Sequence, residues 1–202
     1  IILIICNRFK IISYIHFIYT IFIQYLYNIY KIIQLPISLF INFIKSNLYM
    51  LHWIFDLDLT LYQLPPGTDF HYRHLRKDKQ LNYLLSMIPC KKLIFTNGTY
   101  NHAVVCLEKL GISNKFNQIT ARDTINDLKP NISAFKSFMN KNRITIDDKC
   151  VFFDDQYDNI VASKKLGWVT VLITSENIVS EYVDFKFTNI HIALNYFLSK
   201  IL

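Results

Sequence analysis

The sequence predicts a three-layer α/β domain built on a doubly wound parallel sheet. From residue 51 onward, short apolar runs alternate with segments of helical spacing. The runs are near-continuously hydrophobic, as strands buried on both faces must be. Polar and acidic residues follow the C-terminal end of one run after another, where open α/β sheets place their sites.

Taken in order, "LHWIF" (51–55) reads as a short buried strand that ends abruptly in Asp56, with a second carboxylate at Asp58. "DKQLNYLLSMI" (78–88) has helical spacing and is stopped by Pro89. "KKLIFTN" (91–97) is a second strand ending in polar residues, and "NHAVVCLEKLG" (101–111) is a helix with Gly111 as its C-cap. "FNQIT" (116–120) fits a third strand, and "NISAFKSFMNKN" (131–142) is helical after Pro130. "KCVFFDD" (149–155) is a strand that again ends in acids, followed by a helix over 158–167 closed by Gly167 and a strand over 168–174. No internal repeat or low-complexity linker interrupts this order.

Composition sets the bounds. The chain has 202 residues, 52% hydrophobic and 18% charged, enough for one cored domain and a tail. The formal net charge of +7 is uneven. Residues 1–49 hold Arg8, Lys10, Lys31 and Lys45 and no acid, which leaves 18 basic and 15 acidic residues, a net of +3, for the rest. That suits an enzyme of anionic ligands and gives no strong nucleic-acid signal. Cys6, Cys90, Cys106 and Cys150 show no CxxC or paired Cys/His spacing, so nothing points to structural zinc. They read as reduced, buried thiols of a cytoplasmic protein.

Residues 1–49 read as a different text, rich in Ile, Tyr, Phe, Asn, Leu and Lys, without Gly, Ala, Val, Asp or Glu. These residue types share A/T-rich codons, and the first Met is Met50. The preferred expectation is a natural start at Met50, with the leader as translated upstream sequence or a fragment of something else. The alternative is a membrane anchor, because Ile11–Tyr30 is an uncharged stretch of bilayer-spanning length with flanking cations. Ser13, His16, Thr20, Gln24 and Asn28 interrupt that stretch, and no small-residue cleavage site follows it. A helical extension is the third possibility.

The acids carry the chemistry. A carboxylate at a strand end beside a metal can attack phosphorus. A second one, two residues on and past the strand, can protonate a leaving oxygen and then deprotonate water. Clustered carboxylates repel unless a cation sits between them, and an all-oxygen set suits Mg²⁺, with Asp154 and Asp155 completing it. Thr96, Asn97 and Lys129 offer a hydroxyl, an amide and a positive charge for phosphate oxygens. Each piece alone also fits a solvated turn, a helix cap or a surface lysine. Their joint occurrence in this order, each after an apolar run, is much less expected by accident.

On these residues the chain resembles the haloacid dehalogenase-like (HAD) phosphohydrolases over about residues 51–175, which implies a Rossmann-like core. "DLDLT" (56–60) is similar to the first motif, implying Asp56 as nucleophile and Asp58 as general acid/base. Thr96 and Asn97 correspond to the second motif, Lys129 to the third, and Asp154 with Asp155 to the magnesium-holding fourth. Asp56 and Asp58 join that implied metal set, and Thr60 and Asn159 support it. Asp58 points to a phosphatase or phosphomutase rather than a dehalogenase. A narrower resemblance, strongest in "TNG" followed by "NHA", is to the pyrimidine 5′-nucleotidase subfamily, which implies a nucleoside 5′-monophosphate substrate and an Asn159 that orients the lysine. Gln156 departs from the usual serine.

The departure of most consequence is the lid. The subfamily carries a helical cap between the first two motifs, whereas Tyr62–Lys91 leaves about thirty residues. "QLPPGTDFHYRHLRKDKQ" (63–80) is then the whole lid, a basic loop that reads either as a solvated charge run or as a cationic rim for a phosphorylated substrate. Phe70 and Tyr72 offer stacking faces for a base. An open site also fits a phosphoprotein or a nucleic-acid phosphate end, and a second copy in a homo-oligomer can act as a lid. A non-catalytic binding or membrane-tethered module on the same fold is the reading from a different class.

Overall fold

The computed structural model describes residues 51–65 and 67–201; the leader and its candidate anchor over 11–30 lie outside the described residues. Among those described, no helix is long and apolar enough to cross a membrane.

Six strands form one parallel sheet in the order β3-β2-β1-β4-β5-β6. They are β1 (Leu51–Phe55), β2 (Lys91–Phe95), β3 (Gln118–Thr120), β4 (Lys149–Asp154), β5 (Val169–Ile173) and β6 (Phe185–Phe187). β1 is central, with Phe55 in register with Ile94 of β2 and Phe153 of β4. The chain winds outward one way from β1 and then the other, so the sheet is doubly wound as the alternating pattern predicts. β6 and the last helix lie beyond the region that sequence alone assigns.

Alternation along each strand sends side chains to two separate cores. Trp53, Phe55, Val151, Phe153, Val171 and Ile173 join one core, beneath α1 (Lys79–Met87), α2 (Tyr100–Leu110) and α5 (Ile190–Ile201). Ile54, Leu93, Phe95, Cys150, Phe152 and Leu172 join the other, beneath α3 (Ile132–Asn142) and α4 (Tyr157–Lys164). Ring pairs fill both: Phe55 stacks on Phe153 at 4.6 Å in the first, and Phe95 on Phe138 at 4.4 Å in the second.

The helix ends follow local chemistry. Asp78 caps α1 by accepting from Leu81 N at 2.8 Å, and Thr99 caps α2 by accepting from His102 N at 3.2 Å. Gly111 closes α2 in the left-handed region at φ 72°, as predicted. The helix predicted over 158–167 is shorter: α4 ends at Lys164, and Gly167, at φ 80°, belongs to the turn into β5. Cys106 and Cys150 are buried and Cys90 half-buried, all as free thiols.

Candidate active site

Asp56 follows the last residue of β1, and its N–H donates to Phe153 O at 2.9 Å, which extends the ladder one step and fixes the carboxylate above the sheet. Lys129, in the loop before α3, points its ammonium into the same space. Its Nζ lies 2.8 Å from Asp56 Oδ1 and 2.7 Å from Asp154 Oδ2, with the Lys129 side chain only 1% exposed. The rings of Phe95 and Phe152 stand 5.1 and 5.3 Å from the same nitrogen, so the charge is enclosed by two carboxylates and two aromatic faces.

Asp154 is held by more than the lysine. Asn159 Nδ2 donates to both of its oxygens at 3.0 and 3.1 Å, and Gln156 N donates to Oδ1 at 2.8 Å. The resemblance implies an Asn159 that orients the lysine; its amide contacts Asp154, which in turn pairs with Lys129. The lysine's peptide is fixed by Asn97, whose amide donates to Lys129 O at 2.9 Å and accepts from Lys129 N at 3.0 Å. Sequence alone groups Asn97 with phosphate ligands; the structure turns its side chain to the lysine's peptide. Asp155 accepts from Thr60 Oγ1 at 3.3 Å and from Gln156 Nε2 at 2.5 Å, so Gln156 keeps a contact to the acids despite its departure from serine.

Ligand oxygens of Asp56, Asp154 and Asp155 lie within 4.8 Å of one another. Burial pushes the Asp56 carboxyl up to about 7, against the pull of Lys129, and burial with the neighbouring Asp154 also raises Asp155. Burial works against the Lys129 ammonium, but Asp154 and Asp56 more than offset it and hold its pKa above the ordinary value. One buried ammonium facing three carboxylates leaves negative charge uncompensated. That surplus and the all-oxygen donor set fit a hard divalent cation such as Mg²⁺.

Asp58 is not part of that trio, although sequence places it among the metal ligands. The turn after β1 passes through Leu59 in the left-handed region at φ 60°, and the Asp58 carboxylate is directed elsewhere. Its Oδ1 accepts from Tyr62 OH and lies 2.7 Å from His102 Nε2. Asp58, His102 and Cys106 also bring ligand atoms within 4.8 Å of one another, but burial pushes the Cys106 thiol up to about 12, which disfavours a thiolate there. Thr96 is buried at the end of β2, its N–H donating to Thr120 O at 3.0 Å and its Oγ1 accepting from Gly98 N at 2.9 Å.

Among its described residues, the loop over 63–78 carries a 3₁₀ turn at Tyr72–His74 and no longer helix or strand. It displays His71, Arg73, His74, Arg76 and Lys77 to solvent and sends Leu75 inward. Tyr72 OH lies 2.9 Å from His102 Nδ1, so the loop reaches the site through that side chain. Tyr62, Gly98 and His102 are site residues to which the sequence assigns no role, and Tyr72, expected there only as a stacking face, is a hydrogen-bond partner of His102. The signal for His102 lies within "NHA": a histidine at N3 of a helix that starts just past a strand end, capped by Thr99.

Residues 78–173, 96 of the 202, match the haloacid dehalogenase-like hydrolase family. The matched segment contains Thr96, Asn97, Lys129, Asp154 and Asp155 and begins after Asp56 and Asp58. Solved structures share the fold. An L-2-haloacid dehalogenase from Xanthobacter autotrophicus is 14% identical, with 62% of each chain covered and a TM-score of 0.51. A haloacid dehalogenase-like family hydrolase from Streptococcus pneumoniae is 12% identical, covering 72% of this chain and 97% of that one at a TM-score of 0.53. A predicted phosphoglycolate phosphatase from Haemophilus somnus is 19% identical, covering 59% and 56% at 0.50. The chain thus spans about three-fifths of the length of the dehalogenase, 62%.

Proposed function

We propose that this domain, which has the haloacid dehalogenase-like fold, is a magnesium-dependent phosphomonoester hydrolase that works through an aspartyl-phosphate. The observation that carries the reading is the division of labour between two carboxylates. Asp56 lies with Lys129, Asp154 and Asp155, while Asp58, two residues on, has one oxygen bound by separate partners.

Asp56, Asp154 and Asp155 would hold Mg²⁺, which supplies positive charge for the phosphoryl oxygens and keeps Asp56 ionised. An Asp56 oxygen attacks phosphorus, and the bond from phosphorus to the leaving oxygen breaks. Asp58 gives that oxygen its proton, releasing the alcohol. Asp58 then takes a proton from a water that attacks the same phosphorus. The bond from phosphorus to Asp56 breaks, inorganic phosphate leaves, and both carboxyls return to their starting states. Lys129 and Thr96 offset charge on the phosphoryl group, and Asn97 acts by fixing the Lys129 peptide.

A nucleoside 5′-monophosphate is the proposed substrate. Phe70, 40% exposed and 5.1 Å from the His102 ring, offers a stacking face next to the acid, and the exposed cations of the loop favour an anionic ligand. A larger phosphorylated substrate is the second reading, favoured by a loop too short to enclose a nucleotide. A substrate panel of mononucleotides, phosphopeptides and phosphorylated oligonucleotides, with and without Mg²⁺, separates the two. Asp56→Asn should abolish turnover of every substrate; unchanged turnover rejects the assignment.

A further inference from the structure

Three aromatic side chains to which the sequence gives no part in proton transfer gather around Asp58. Tyr62 OH donates to Asp58 Oδ1, His102 Nε2 lies 2.7 Å from the same oxygen, and Tyr72 OH lies 2.9 Å from the other nitrogen of that ring. Phe70 stands edge-on to His102 at 5.1 Å, and Cys106 Sγ lies 3.6 Å from Nε2. The ring is held from the loop on one side and from its own helix on the other.

We propose that His102 is a positioning residue that selects which oxygen of Asp58 transfers the proton, and that Tyr72 of the short loop fixes the tautomer in which it does so. This rests on the phosphatase reading.

The chemistry of the contacts forces the arrangement. An ionised carboxylate can only accept, so in the base form of Asp58 the proton between it and His102 belongs to Nε2. In a neutral imidazole Nδ1 is then an acceptor, and Tyr72 is the donor that satisfies it. With two donors on Oδ1, the proton exchanged with substrate and water is carried by Oδ2. That oxygen faces Gly98, where a Cβ would come within 3.5 Å of it and within 2.9 Å of His102 Cδ2. The loop that replaces a cap therefore buttresses the acid.

The test uses the full chain and two substrates, 4-nitrophenyl phosphate, whose leaving group needs little protonation, and an alkyl phosphate, whose leaving group needs a proton. The readout is kcat/KM, which reports steps up to loss of the leaving group. His102→Ala should lower it about 10–100-fold for the alkyl phosphate and less than about threefold for the nitrophenyl ester, since general acids contribute on the order of 10²–10⁴. His102→Gln, which keeps an N–H donor, should restore part of the loss. Tyr72→Phe should show the same bias at smaller size. Nitrogen-15 NMR of the histidines should show His102 as the Nε2–H tautomer, shifted toward a mixture in Tyr72→Phe.

Equal losses on both esters, no loss, or a tautomer indifferent to Tyr72 would overturn the proposal. If the wild type hydrolyses both esters, Asp58→Asn is inactive and the His102 variants are unaffected, the positioning role alone fails. If the wild type hydrolyses neither ester, the phosphatase reading fails and the proposal falls with it; the NMR result then shows whether the hydrogen-bonded chain itself exists.

Discussion

Lys129 Nζ lies 2.7 Å from Asp154 Oδ2, and neither side chain is more than 1% exposed. Removing one partner of such a pair leaves the other charge buried without its counterion. Lys129→Met should therefore destabilise the metal-free domain by about 3–5 kcal/mol. Chemical denaturation at neutral pH measures this. On the proposed mechanism, added Mg²⁺ should recover part of the stability but none of the turnover, because that mechanism needs the lysine's charge at the phosphoryl group.

A second expectation concerns pH and metal. Burial raises the folded-state pKa of Asp56 to about 7, above its unfolded value near 3.8. Its contribution to stability is then complete below the unfolded value and is lost as pH rises from about 4 through about 7. The metal-free protein should melt at progressively lower temperature across that window. Asp56→Asn should flatten the slope, and so should Mg²⁺, which favours the ionised carboxylates. Thermal melts at several pH values, with chelator and with Mg²⁺, check all three.

Gly98→Ala tests the packing beside Asp58, the proposed general acid. The new methyl would lie 2.9 Å from His102 Cδ2 and 3.2 Å from Thr96 Oγ1, so the imidazole has to move. The backbone there is not left-handed, and no strain of that kind is added. Expected is a loss of about tenfold or more in kcat, against a stability change of about 1 kcal/mol or less, as for substitutions away from a sealed core. Parallel melts and initial rates separate the two effects.

Asp184 offers a control far from the site. It accepts from Thr170 N at 2.9 Å and from Thr170 Oγ1 at 3.1 Å, and pairs with Lys164 at 2.5 Å. Partial burial opposes ionisation, but these donors outweigh it and hold the carboxyl below its usual range. Its contribution is present above the unfolded pKa and is lost as pH falls through the lower folded value. Asp184→Asn should cost about 1 kcal/mol at pH 7, less than the roughly 1.5–3 kcal/mol of a buried hydrogen bond to a charged group, because solvent screens this partly exposed carboxylate. The difference from wild type should shrink in acid, and turnover at pH 7 should be unchanged.

Much of the fold was legible because it depends on periodicity. Strands such as Leu51–Phe55 and Lys149–Asp154 are built on near-continuous apolar runs, and helices such as Tyr100–Leu110 carry their caps in the sequence. β6 and α5 lie in the C-terminal stretch to which the sequence reading assigns no element, Phe185–Phe187 being broken by Lys186 and no strand-end acid marking it. The acids stand out in the sequence because Asp56 and Asp154 directly follow apolar runs, with Asp58 and Asp155 close behind. What local pattern does not carry is where a side chain points. Asn97 turns to the Lys129 peptide and Asn159 to the Asp154 carboxylate, Asp58 turns from the acid trio to His102, and Tyr72 reaches His102 across 30 residues of chain. Those outcomes are decided by contacts between elements distant in sequence.

The two tryptophans of the chain fall on opposite sides of the sheet. Trp53 belongs to the core beneath α1, α2 and α5, and Trp168 to the core beneath α3 and α4, where it packs 5.8 Å from Phe152, one of the rings that wall in Lys129. Each layer thus carries its own native fluorophore. Emission from Trp53→Phe and Trp168→Phe proteins would reveal whether the two layers melt together, and the signal from Trp168 would register disturbance of the ammonium's cage without any added label.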